Sequence, residues 1–163
     1  MGRQFAMAAI ETWELTPDDW QVWRKLRQSA LAEAPEAFGS ALADWTGDRD
    51  TQQRWRARLQ DVPVNLVVVL DGEPAAMVSI TAPDVRGAVE LISMWVTPQA
   101  RGRGVGDEAV RQAITRAGQR FPNCTMQLSV KTLNHPAIAL YRRHGFVDAG
   151  QSPDDLSERQ MCR

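Results

Sequence analysis

Residues 90–108 read ELISMWVTPQARGRGVGDE, and the rest of the chain is best understood outward from them. Glu90 to Val96 is rich in apolar and aromatic residues, the composition of a strand, and Pro98 closes it. Gly102, Gly104 and Gly106 then alternate with Arg101, Arg103 and Val105. An apolar stripe of Val105, Ala109, Val110, Ala113, Ile114 and Ala117 starts at once and predicts a helix over 105–120. A strand that runs through a glycine-dense turn directly into a helix lets the backbone approach a ligand closely. The free N–H groups and partial positive charge of the helix start favour an anion there. Arg101 and Arg103 add formal charge to the same spot, which suits a pyrophosphate.

Upstream, Val64–Leu70 is a β-branched run joined by Asp71-Gly72 to Pro74–Ile80. An Asp-Gly pair between two such runs predicts a hairpin, because both turn positions need positive φ. With a strand over 88–96 and a first strand over 7–15, this half reads as an antiparallel meander. Thr16-Pro17-Asp18 is a helix-start signal, and Trp20, Val22, Trp23, Leu26, Ala30 and Leu31 recur at helical spacing until Pro35. A second amphipathic helix over 47–60 carries Trp55 and Leu59 among Arg54, Arg56 and Arg58. Downstream, a strand over 126–130 and a short helix over 135–144 alternate, so the fold class is α/β with a mixed sheet. Trp20, Trp23, Trp45 and Trp55 read either as the lining of a pocket or, in preference, as core, since tryptophans at helical spacing are more often core.

The whole chain, 1–163, reads as a single domain: 19 basic residues face 20 acidic ones, 44% of residues are hydrophobic and 24% charged. Those proportions exclude intrinsic disorder, and a net charge of −1 gives no bulk attraction to nucleic acid or anionic lipid. The apolar run Leu66–Leu70 is far shorter than the roughly 20 residues of a membrane span. No signal-peptide pattern is read at the start, and Ala6 stands where N-myristoylation wants Ser or Thr. A cytoplasmic protein without membrane partners is the expectation. Cys124, Cys162, His135 and His144 have no zinc-type spacing, so no metal is expected. Lysine appears only at Lys25 and Lys131 beside abundant arginine, a bias from which no function follows.

Three phosphate-binding patterns compete for the 101–106 loop. The Walker pattern needs Gly-Lys-Ser/Thr, and none follows Gly106. The dinucleotide fingerprint needs a glycine where Asp107 stands. Arg101-x-x-Gly104-x-Gly106 instead resembles the Q/R-x-x-G-x-G/A acyl-CoA loop of the GNAT superfamily of N-acetyltransferases. Downstream, Val130-Lys-Thr-Leu-Asn134-His-Pro-Ala-Ile-Ala-Leu-Tyr141 running into Gly145-Phe146 resembles that family's second motif. Helix chemistry agrees with it: Asn134 is a good N-cap, Pro136 falls in the first turn and Gly145 is a stop.

The resemblance implies a mostly antiparallel central sheet with helices on both faces. It implies acetyl-CoA as co-substrate, with its pyrophosphate on Arg101, Gly102, Arg103, Gly104, Val105 and Gly106. Its pantetheine would lie along Met94, Trp95 and Val96, with Asn134 in contact, a free Val96 N–H for the thioester oxygen and the Tyr141 hydroxyl at the sulfur. Tyr141 also reads as a core aromatic. Glu90 reads either as a general base or as a solvated strand end. The implied acceptor is an amine, a small molecule in preference to a protein amine, and the first two helices with Glu33–Ser40 would fold over it. Within that region, Leu26-Arg27, Ala30-Leu31 and Pro35–Phe38 resemble a bacterial subset of the family without fixing an acceptor. Glu33, Glu36 and Asp44 read either as attractors of a cationic amine or as a solvated loop. A non-catalytic acyl-CoA sensor is the rival reading. Nucleic-acid binding through Arg101, Arg103, Arg111, Arg116 and Arg120 is set aside because Asp107 and Glu108 interrupt that face. A homodimer is compatible with the sequence.

Overall fold

The computed structural model describes residues 9–163. Seven strands form one sheet in the order β1-β2-β3-β4-β5-β7-β6. They are β1 (Ile10–Glu14), β2 (Val64–Leu70), β3 (Glu73–Ile80), β4 (Ala88–Val96), β5 (Thr125–Lys131), β6 (Val147–Gln151) and β7 (Glu158–Cys162). All neighbours are antiparallel except β4 and β5, which α3 (Val105–Arg120) connects as a crossover. The remaining helices are α1 (Trp20–Glu33), α2 (Gln52–Asp61) and α4 (His135–Arg143).

Helices cover both faces, and the alternation of side chains along each strand sorts the core into two clusters. Leu66, Val68, Val78 and Ile80 pack with Val105, Ala109, Val110 and Ala113 of α3, together with Tyr141 and Phe146. Val67, Val69, Met77 and Trp95 pack on the opposite face against Trp23, Leu26, Trp55 and Leu59. Every residue of β2 is therefore buried, which is why its sequence is apolar throughout except for Asn65, whose side chain is hydrogen-bonded. Trp23 and Trp55 are fully buried, as their helical spacing predicts. In the β2–β3 hairpin Asp71 and Gly72 have φ of 51° and 83°, the two left-handed positions of a type I′ turn.

The boundaries differ from the sequence reading in places. The first strand occupies Ile10–Glu14, and Met7 and Ala8 of the expected range lie outside the described residues. The second helix starts at Gln52, because Thr51 caps it by accepting from the Arg54 N–H at 3.3 Å; Gly47–Arg49 forms a separate 3₁₀ turn. The two C-terminal strands carry no sequence signal. β6 is an edge strand of mostly exposed Val-Asp-Ala-Gly-Gln, and only Met161 of β7 is buried. No described helix is long and apolar enough to cross a membrane.

Candidate active site

The site begins with an irregularity in β4. Against β3, Met77 pairs with Trp95 but Ser79 pairs with Ile92, so β4 carries one extra residue, and Ser93 adopts a φ of 57° within this bulge. Val89 and Leu91 belong to the cluster under α3, so Glu90 between them faces the α1/α2 side; past the bulge Trp95 faces that side too. On the other edge of β4, pairing with β5 covers only Ala88, Val89 and Glu90. From Leu91 onward the two strands part, leaving a fork.

The fork exposes backbone. The Thr97 N–H crosses to Ala75 O on β3 at 2.8 Å, so by alternation the Val96 N–H and carbonyl face the open side. The Val96 carbonyl is taken by Arg101 Nε at 3.2 Å. Immediately beyond, Gly102 and Gly104 have φ of 75° and 82°, with open space where a Cβ would stand. Gly104 is the N-cap of α3 and offers no side chain, so the first N–H groups of this helix have no side-chain cap. Its two first-turn carboxylates are turned to basic side chains: Asp107 to His144 at 2.8 Å and Arg143 at 3.3 Å, Glu108 to Arg111 at 2.7 Å. The result is an uncapped helix start at the mouth of the fork, suited to an anion.

The two loop arginines are paired with carboxylates from the N-terminal half. Arg101 reaches Glu33 at 2.9 Å, and Glu33 also accepts from Trp95 Nε1 at 2.8 Å. Those two bonds, Arg101 before Trp95, hold the Glu33 carboxyl below its ordinary pKa. Arg103 lies 3.6 Å from Asp71 in the hairpin turn. Sequence reasoning assigned these charges to a bound pyrophosphate; their geometry shows that they also tie the loop to α1 and to the β2–β3 turn.

α4 closes the other side. Asn134 Oδ1 accepts from the Ala137 N–H at 3.3 Å, the cap expected from sequence, and Pro136 stands in the first turn. A Cβ on Gly106 would lie 3.5 Å from Val96 Cγ2 and 3.6 Å from Leu140 Cδ2, so loop, β4 and α4 converge there. Tyr141 is buried edge-on to Phe146 at 6.0 Å, and its hydroxyl has no hydrogen-bond partner among the described residues. Burial raises its pKa further above the ordinary phenol value. Glu90 is half-buried where the fork opens. Burial first, then the nearby charges of Glu158, Asp154 and Asp84, raise its pKa.

Of the residues expected to attract a cationic amine, Glu33 is engaged as described and Asp44 pairs with Arg49 at 2.9 Å. Sequence reasoning missed Ser93, because a bulge leaves no mark in an apolar strand, and it gave Arg58 no role beyond the amphipathic pattern of the second helix. The structure turns Arg58 inward, where it donates to Asn65 Oδ1 at 2.9 Å, Ser79 Oγ at 3.2 Å and Ser93 Oγ at 3.3 Å. Its spacing of three from the buried Trp55 was the available signal.

A forked mixed sheet with an uncapped helix start at the fork defines a fold shared with known acetyltransferases. One solved structure, yncA of Salmonella typhimurium, described as a putative acetyltransferase with its cofactor acetyl-CoA, matches with a TM-score of 0.74 at 20% identity, over 95% of this chain and 93% of that one. The chain belongs to the acetyltransferase (GNAT) family, whose model matches residues 20–146. Among characterised relatives, the mycothiol acetyltransferase of Mycobacterium sp. (strain MCS) is 30% identical over 142 residues, 84% of this chain but 45% of that protein. This chain thus spans about half the length of that relative. The L-methionine sulfoximine/L-methionine sulfone acetyltransferase of Pseudomonas aeruginosa is 29% identical over 145 residues, 78% of this chain and 83% of that one.

Proposed function

We propose that this protein transfers an acetyl group from acetyl-CoA to the amine of a small molecule. The observation that carries the reading is the fork between β4 and β5 with the uncapped start of α3 at its mouth. The two characterised relatives, named for mycothiol and for methionine sulfoximine and sulfone, support a small acceptor over a protein. Acetyl-CoA, when bound, supplies the activated acyl carbon: the acceptor nitrogen would bond to it, the carbon–sulfur bond would then break, and the extra proton still on that nitrogen would pass to the departing thiolate or to solvent.

The backbone N–H groups of Gly102 to Gly106 would hold the pyrophosphate, with Arg101 and Arg103 fixing the loop. Met94, Trp95 and Val96 would pair with the pantetheine in the way an added strand pairs, with Asn134 at the far side of the fork. The Val96 N–H is directed to the open side and would donate to the acyl oxygen as negative charge develops. Glu90 would take the ammonium proton of the acceptor, directly or through water, so that a neutral amine attacks. A raised pKa brings this carboxylate closer to the range in which a base is effective. The Tyr141 hydroxyl would donate to the departing sulfur. Because burial holds its proton tightly, while a thiol titrates near about 8.5, Tyr141 would stabilise the thiolate by hydrogen bonding without surrendering the proton.

The test is a calorimetric titration with acetyl-CoA, followed by an amine panel read by thiol release. Binding lost in Gly104→Val and weakened in Arg101→Ala, with turnover of at least one amine, is the expected result. Binding without turnover would favour the sensor, and no binding would overturn both.

A further inference from the structure

On the α1/α2 side of the fork, the structure holds two arginines with no carboxylate in ion-pair contact among the described residues. Arg27 of α1 is nine-tenths buried. Its Nη1 is buried with no hydrogen-bond partner, and its guanidinium lies over the Phe38 ring at 4.6 Å. Arg58 of α2 lies over the Trp23 ring at 5.1 Å and bonds only to the neutral oxygens of Asn65, Ser79 and Ser93. Among the described residues neither arginine forms an ion pair with a carboxylate.

Burial pushes the pKa of each down to about 10; at Arg58 the charge of Arg27 lowers it further and the charge of Asp61 opposes this in part. A buried guanidinium without a counter-ion is unfavourable, and two neighbouring ones repel each other. Aromatic faces offset part of that cost. A fold that needed only packing there would be better served by apolar side chains. The hydrogen bond from Arg58 to Ser93 fixes this charge to the β4 bulge, between Glu90 and Trp95 on the same face of the strand. The cations therefore stand beside the place where the acceptor amine must enter.

We propose that the acceptor is an amino acid or a close amino-carboxylate, whose carboxylate is seated against Arg27 with Arg58 behind it. This rests on the acetyltransferase reading above. A carboxylate matches the planar donor fork of a guanidinium and neutralises the pair. An acceptor of this class carries its amine within one or a few carbons of the carboxylate. Anchoring at Arg27 would thus orient the nitrogen as well as select the substrate. Arg27 and Arg58 would be specificity residues for the acceptor and would leave donor binding alone.

The experiment compares free L-amino acids with the same amino acids as carboxamides, in the wild type and in Arg27→Gln and Arg27→Lys, with acetyl-CoA affinity measured by calorimetry in each. The carboxamide amine is the less basic of each pair and so the more often neutral, which makes any preference for the acid attributable to recognition. We expect kcat/KM for the best acid to exceed that for its carboxamide by about 100-fold or more in the wild type. That preference should fall to a few-fold in Arg27→Gln, mainly through KM, and survive in part in Arg27→Lys, with acetyl-CoA affinity unchanged throughout. Equal use of acids and carboxamides, a preference that persists in Arg27→Gln, or acetyl-CoA binding with neither series acetylated would overturn the proposal while leaving the donor reading intact. Failure of the wild type to bind acetyl-CoA would instead overturn the acetyltransferase reading, and this proposal with it.

Discussion

Glu33, the last residue of α1, and Arg101, in the glycine loop, form an ion pair of 2.9 Å across 68 positions of sequence. Because Glu33 also accepts from the Trp95 indole, one carboxylate joins the acceptor-side helix, the strand along the fork and the loop at its mouth. The pair is partly exposed, so its coupling should be modest, about 0.2–1 kcal/mol in a double-mutant cycle of Glu33→Gln and Arg101→Ala read by urea unfolding. The sign with pH follows from the depressed carboxyl pKa. The contribution is present above the unfolded glutamate value, about 4.3, and is lost as pH falls through the lower folded value. Coupling that is unchanged at acidic pH would show that charge is not its source.

Gly104→Val should damage both stability and donor binding. The φ of 82° is left-handed, and a β-branched residue there costs about 1–2 kcal/mol, readable as a lowered unfolding midpoint. The larger effect should be on acetyl-CoA affinity, measured calorimetrically, since the new side chain would project into the open space of the loop.

Replacing Tyr141 by Phe should lower turnover by about 10- to 100-fold while acetyl-CoA affinity stays nearly the same. The hydroxyl is unpartnered among the described residues, so its removal should leave thermal stability intact or slightly raised. Turnover equal to wild type would reduce Tyr141 to its packing against Phe146.

For Glu90 the pH profile is the measurement. Its pKa is raised, so the acidic limb of kcat/KM should lie above the ordinary glutamate range, and Glu90→Gln should abolish or displace it. Stability carries the opposite dependence from Glu33. A raised folded pKa contributes stability at pH below the unfolded value, and this is lost as pH rises through the folded value. Glu90→Gln should flatten that decline. An unmoved kinetic limb would assign the base elsewhere.

The parts legible from sequence are those in which local chemistry and global role coincide. Asp71-Gly72 needs two left-handed residues wherever it stands, and the apolar stripe from Val105 to Ala117 marks α3 to the residue. Asn134 caps α4 as its side chain dictates. What stayed hidden depends on contacts distant in sequence. Glu33 looks like a solvated helix end until Arg101 and Trp95 arrive beside it. Arg58 looks like one of three surface arginines on α2, and only the placement of Ser79 and Ser93 turns it inward. β6 and β7 lack a signal because an edge strand and its neighbour bury few side chains, so little alternation is imposed on Val147–Gln151 or Glu158–Cys162. The extra residue at Ser93 is invisible for a related reason, since a strand with one residue more has the same composition.

That extra residue sets the phase of everything after it. Were β4 regular, Trp95 would share the parity of Leu91 and turn under α3, away from Glu33. The Val96 peptide would then turn toward β3, where its N–H would be consumed by sheet pairing. Shortening β4 by one residue at position 93 would instead remove the bulge and leave Trp95 and Val96 on the faces they now hold, because Met94, Trp95 and Val96 already follow the β3 register without it. The faces are exchanged only if the strand is straightened with Ser93 kept in it. A relative that lacks the residue at 93 should therefore still turn its Val96 peptide to the fork, whereas one that keeps the residue must keep the bulge as well.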